Sequence, residues 1–220
     1  MLGFYDYTVI LTYLGALFGL LGISMSLGGC FRSAMLCMAA ALVCDTLDGM
    51  VARRKKNRTR QEMLFGIQID SLCDLISFGL CPAVMFYMLG MRSVLDMTLL
   101  GAYCLCCVIR LGYFNVLAQE AELGTKGDFH GLPVVCLDVM IPAVYLLFRL
   151  AGNSLWIFRG AVVLFGFLYI LDFPVKKPVL WKFAAMSCIS KMLSSSSALS
   201  WARRSCFQKL GSRRMPVAME

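Results

Sequence analysis

This sequence predicts an all-α polytopic membrane protein: a bundle of about six transmembrane helices with an amphipathic cytoplasmic segment, the length leaving room for seven or eight crossings. Three observations lead there. The 220-residue chain is 60% hydrophobic, only 15% charged, and has a mean hydropathy of +0.75, far too apolar for an ordinary soluble domain. Its apolar stretches approach the roughly 20 residues that a helix needs to cross hydrocarbon. Its basic residues gather in short patches beside those stretches, so the net charge of +8 suits an anionic lipid surface and argues against nucleic acid as a partner. Most of the eleven cysteines lie inside apolar segments, and Cys104, Cys106 and Cys107 have no histidine partner, so they read as small buried hydrophobes.

Residues 7–27 form the first span, with Gly15, Gly19 and Gly22 spaced for close helix contact. No Lys or Arg precedes Arg32, so this stretch lacks the charged start of a cleaved signal peptide and is expected to stay in the membrane. Gly28 and Gly29 make the turn to a second helix over 33–51, in which Ala39, Ala40 and Ala41 permit tight packing just before Asp45. The run ARRKKNRTR follows, with six basic residues between Arg53 and Arg60, and the positive-inside rule puts it in the cytoplasm. A third helix over 63–87 begins as an amphipathic approach. It contains Pro82, which should bend it while neighbouring helices re-satisfy the freed carbonyl.

A short outer loop is expected at 90–96, then a fourth span over 97–117 carrying Arg110 and Asn115. Polar groups at that depth are usually functional, since an unpaired one costs roughly several kcal/mol. A polar cytoplasmic loop over 118–130 holds His130, the only histidine. The fifth span, 132–150, contains Asp138, which pairs with a base such as Arg110 or lines a wet cavity. The sixth, 158–173, follows an outer loop at 149–159. Residues 1–178 thus make one transmembrane domain, and 179–220 a basic, Ser-rich segment, partly interfacial or disordered.

Four carboxylates break the apolar pattern. Asp45 and Asp48 are three residues apart and Asp70 and Asp74 four apart, so each pair shares one helical face. Two such faces brought together make an oxygen-lined site suited to hard divalent cations such as Mg2+ or Mn2+. The basic loop between the pairs places the site at the cytoplasmic end of the helices.

The frame D-x2-D-G-x2-A-R, a linker, then G-x3-D-x3-D is made here by Asp45, Asp48, Gly49, Ala52, Arg53, Gly66, Asp70 and Asp74, and it resembles the signature of the CDP-alcohol phosphotransferases. The linker, residues 54–65, is twelve residues long, longer than in many relatives. Three further stretches resemble the phosphatidylserine synthase branch of that family: DSLCDLISFGLCPA, IRLGYFNV and FHGLPV. In the second of these, Gly112 or Tyr113 stands where many relatives have another arginine. The likeness covers about residues 8–177.

The resemblance implies transfer of a phosphatidyl group from CDP-diacylglycerol to the hydroxyl of L-serine, giving phosphatidylserine and CMP. It implies Asp45, Asp48 and Asp70 as principal ligands of two divalent ions, with Asp74 as fourth carboxylate and general base. Gly49, Ala52 and Gly66 would let cytidine and diphosphate lie close to backbone, and Arg53 would pair with phosphate or hold a carboxylate. Arg110, Asn115 and His130 are candidates for serine or lipid phosphate, although His130 reads equally well as a residue of the loop before Gly131, Leu132 and Pro133. A homodimer in a bacterial plasma membrane, its active site facing the cytoplasm, is also implied. Three alternatives stay open: another acceptor alcohol, such as glycerol 3-phosphate or inositol phosphate; a cation-coupled membrane transporter; and a catalytically inactive paralogue.

Overall fold

The computed structural model describes residues 7–54, 59–122, 140–152 and 154–171, and every regular element among them is helical. In chain order these are α1 (Tyr7–Leu27), α2 (Phe31–Arg54), α3 (Arg60–Asp74), a π-helix (Leu75–Leu80), α4 (Cys81–Met88), α5 (Val94–Glu122), α6 (Ile141–Leu150) and α7 (Trp156–Ile170). Four stretches are long and apolar enough to cross a membrane: Val9–Leu27, Phe31–Val51, Arg60–Met88 and Val94–Glu120. The third of these is α3, the π-helix and α4 running on as one rod. Of the two shorter apolar helices, α6 falls within the expected fifth span and α7 overlaps the expected sixth, starting two residues before it. This is an all-α integral membrane protein, and it clothes itself for lipid: Leu14, Leu17, Leu20, Leu105, Ile109 and Val163 are all exposed.

The α1–α2 hairpin turns on glycine. Gly29 has φ +75°, Cys30 N–H donates to Met25 O at 2.9 Å and Gly29 N–H to Ser26 O at 2.9 Å, a paired closure that satisfies the last carbonyls of α1. Only glycine enters that left-handed region without strain. Beyond the turn the two helices lie against each other along the predicted small-residue stripe. A Cβ built on Gly15 would sit 3.5 Å from Cys44 Cβ, and one on Gly22 3.5 Å from Ala34 O. The same stripe meets the third span, for a Cβ on Gly19 would lie 2.9 Å from Ser77 Cα, closer than real atoms come. Ser77 Oγ in turn donates to Gly15 O at 3.2 Å. Helix α1 is therefore a central post against which α2 and the α3–π–α4 rod both rest.

Pro82 acts as the sequence predicts, with one addition. It has no N–H for the carbonyl one turn back, that of Phe78, and the Tyr103 hydroxyl of α5 donates to that oxygen at 3.0 Å. The addition is the six-residue π-helix just before it, in which Cys81 N–H reaches Ile76 O. One extra residue in the turn accommodates the lost donor without a sharp break. The core continues into α5, α6 and α7, where Phe158 stacks on Phe148 with centroids 4.3 Å apart and lies 5.0 Å from Phe86.

The ends of α5 and α7 differ from expectation. Asp96, assigned from the sequence to the outer loop, lies in the first turn of α5 and is buried, accepting from Ser93 N–H at 3.1 Å as half of a capping box. Arg159, expected within the preceding loop, lies on α7 and donates from Nε to Asp96 Oδ1 at 2.7 Å and from Nη2 to Oδ2 at 3.3 Å. Its guanidinium also lies 4.8 Å from the Trp156 ring centroid. The two charges enter the helices because each supplies the other's partner. At its far end α5 runs on to Glu122, past the expected limit at 117. Seven described cysteines are free thiols, as read; Cys30 is disulfide-bonded and departs from that reading. Residues 179–220, Asp138 and the loop residues 55–58 lie outside the described residues.

Candidate metal centre and active site

Helix α3 begins where the basic loop ends. Thr59 caps it, its hydroxyl accepting from Glu62 N–H at 3.3 Å while the Glu62 carboxylate accepts from Thr59 N–H at 2.9 Å. With its start set, α3 carries Asp70 ten residues from Arg60, and α2 carries Asp45 nine residues from Arg54. At 1.5 Å per residue both carboxylates sit about 14 Å along their helices from the loop. That shared depth lets them meet.

They do meet. Oxygens of Asp45, Asp70 and Asp74 all lie within 4.8 Å of one another, and all three residues are half-buried. Two carboxylates about 5 Å apart repel by about 3 kcal/mol at an effective dielectric near 20. Positive charge placed among the three would relieve that repulsion. The donor set fits a hard divalent ion: every ligand atom is a carboxylate oxygen, and among the described residues no His or Cys joins the group, although Cys44 and Cys73 adjoin it in sequence.

Asp48 lies near this trio, close enough to Asp70 for their charges to interact. It lies one turn along α2, is only 6% exposed, and its Oδ2 accepts a hydrogen bond of 2.8 Å from Thr12 Oγ1 of α1. The expected grouping was Asp45, Asp48 and Asp70 with Asp74 as the fourth member; oxygens of Asp45, Asp70 and Asp74 come together, and Asp48 also accepts from Thr12 of α1.

The remaining predicted residues divide between the described and the undescribed. Gly49 follows Asp48 on α2, and Gly66 precedes Asp70 by one turn of α3, on the same face. Ala52 and Arg53 belong to the last turn of α2, with side chains outside the described residues; His130 lies wholly outside them. Arg110 and Asn115 are buried on α5. Asn115 reaches α3, its Oδ1 accepting from Ser71 Oγ at 2.6 Å and its Nδ2 donating to Gln68 Oε1 at 3.3 Å. Gln68 and Ser71 bracket Asp70 in sequence, so α5 is fastened to α3 beside the carboxylates.

Residues 8–171 match the model of the CDP-alcohol phosphatidyltransferase family. The chain belongs to that family. Several members resemble it. The archaetidylserine synthase of Methanothermobacter thermautotrophicus is 36% identical over 62% of this chain and 56% of its own length. A CDP-diacylglycerol–serine O-phosphatidyltransferase of Helicobacter pylori is 30% identical over 69% of this chain and 65% of its own length. The Saccharomyces cerevisiae protein of the same name is 39% identical over 41% and 33% respectively. The chain thus spans between about one third and two thirds of the length of these curated relatives.

Within this CDP-alcohol phosphatidyltransferase chain, sequence reasoning missed Thr12 and the π-helix. Thr12 had a signal. It precedes Gly15 by three residues and so lies on the small-residue face, where a polar side chain inside an apolar span needs a partner. The π-helix begins immediately after Asp74, and only Pro82, eight residues on, hinted at altered register.

Proposed function

We propose that this protein transfers a phosphatidyl group from CDP-diacylglycerol to L-serine, releasing phosphatidylserine and CMP. The observation that carries this reading is the Asp45, Asp70 and Asp74 cluster within 4.8 Å, set in the family's glycine, alanine and arginine frame. The names of the three relatives share serine, which favours it over glycerol 3-phosphate or inositol phosphate as acceptor. A transporter has no use for a frame that leaves room for a nucleotide.

Asp45, Asp48, Asp70 and Asp74 would hold two Mg2+ or Mn2+ ions, which supply charge neutralisation of the diphosphate and of the leaving CMP. The serine hydroxyl is a poor nucleophile at neutral pH. Asp74 takes its proton as the serine oxygen bonds to the phosphorus that carries diacylglycerol, and the bond from that phosphorus to the CMP oxygen breaks. Gly49, Ala52 and Gly66 leave space for cytidine and diphosphate, and Arg53 pairs with phosphate or holds a carboxylate. Arg110 and His130 bind the serine carboxylate or lipid phosphate. Asn115 acts beside them while holding Ser71 and Gln68. The protein works as a homodimer in a bacterial plasma membrane with the site facing the cytoplasm, as the basic loop between Arg53 and Arg60 suggests.

The test is CMP release by the purified protein given CDP-diacylglycerol, Mn2+ or Mg2+, and serine, glycerol 3-phosphate or inositol phosphate in parallel. Serine alone should support turnover, and Asp74→Asn should abolish it in a folded protein. CMP release with glycerol 3-phosphate but not serine would overturn the acceptor, and no release with any alcohol would overturn the enzyme.

A further inference from the structure

Thr12 of α1 donates a hydrogen bond to one of the four carboxylates, that of Asp48. Thr12 is 8% exposed, and its hydroxyl donates across 36 positions of sequence to the carboxylate of Asp48, a residue 6% exposed. The helices around this bond are closely packed. Gly15, one turn on, brings α1 close against Cys44 and Ala41, so the backbones bearing Thr12 and Asp48 lie near each other. Thr46, between Asp45 and Asp48, spends its own hydroxyl on Leu42 O at 2.9 Å, so it is Thr12 that meets Asp48. A β-branched side chain on a helix has few rotamers, and one with a buried, charge-assisted bond is held in place.

We propose that Thr12 is a positioning residue for the cation site: its hydroxyl fixes the Asp48 carboxylate, and through Asp48 it sets the affinity of the site for divalent ions. This rests on the reading of the carboxylates as ion ligands. Partners that orient metal-binding carboxylates typically contribute 10- to 100-fold in affinity. The hydroxyl of Thr12 makes it such a partner, contributed by a helix that bears no carboxylate of the site.

The experiment measures Mn2+ binding to the full-length protein in detergent by electron paramagnetic resonance, without substrate. Thr12→Val keeps the shape and removes the donor; it should raise the Mn2+ Kd by about 10- to 100-fold. Thr12→Ser restores the donor and should bind within about twofold of the unaltered protein. If Thr12→Val fails to fold, Thr12→Ala takes its place. Equal Mn2+ affinity for the unaltered protein and the donor-less variant overturns the role of Thr12 alone. Equal weakening in Thr12→Ser and Thr12→Val overturns it too, since packing and not the hydroxyl would then matter. No Mn2+ binding by the unaltered protein overturns the ion-site reading itself, and the role of Thr12 with it.

Discussion

Asp45, Asp70 and Asp74 are kept within 4.8 Å of each other, where their negative charges repel when ionised. Each ionised pair at that distance opposes folding by about 3 kcal/mol, and a bound cation reverses the sign. Replacing one member with its neutral amide therefore separates stability from function. In a chelator, Asp70→Asn should be more stable than the unaltered protein, by about 1 to 3 kcal/mol. In saturating Mn2+ the order should invert, because the amide surrenders a ligand. Thermal unfolding in detergent with and without Mn2+ reads both, and a variant less stable in chelator would contradict the repulsion argument.

Among the elements, the α3–π–α4 rod carries the most consequence. Asp74 is the last residue of α3, and the π-turns that follow rotate everything beyond it by one extra residue relative to an unbroken helix. Ser77, Phe78 and Gly79 are thereby buried against α1 and α5. What holds the wide turn is the bond from Tyr103 to Phe78 O, since Pro82 offers nothing to that carbonyl. Tyr103→Phe removes this donor and leaves a buried carbonyl short of a partner, at a cost of roughly 1 to 3 kcal/mol. The loss should appear in the thermal midpoint of the purified protein. A midpoint unchanged within error would mean that the π-helix does not need the bond.

At the scale of the whole molecule, the centre of charge lies on α2 and α3 while the bundle is clamped elsewhere. Asp96 and Arg159 join α5 to α7 by two hydrogen bonds, with Arg159 also over Trp156. Removing either partner strands the other, so Asp96→Asn and Arg159→Gln should each lower the unfolding midpoint, and the double variant should lose less than their sum. Mn2+ affinity should be unchanged in all three, because the clamp shares no residue with the carboxylate cluster. A fall in affinity would show instead that the two ends of the bundle are coupled.

The spans, the basic loop and the carboxylate frame were legible in the sequence because each is a local property. Hydrocarbon demands runs of apolar residues, the helix repeat assigns Asp70 and Asp74 to one face, and Gly15, Gly19 and Gly22 mark a face of close approach. The partner of the Pro82 break was legible only as a need, a carbonyl requiring some donor. Which residues answered such needs was decided by tertiary structure alone: Thr12 with Asp48, Tyr103 with Phe78, Asn115 with Ser71 and Asp96 with Arg159 are 36, 25, 44 and 63 positions apart. Periodicity within a helix states which side must be covered and leaves open what covers it. That choice follows from how helices rotate and slide until their small residues interlock, and it brought Asp45 of α2 together with Asp70 and Asp74 of α3.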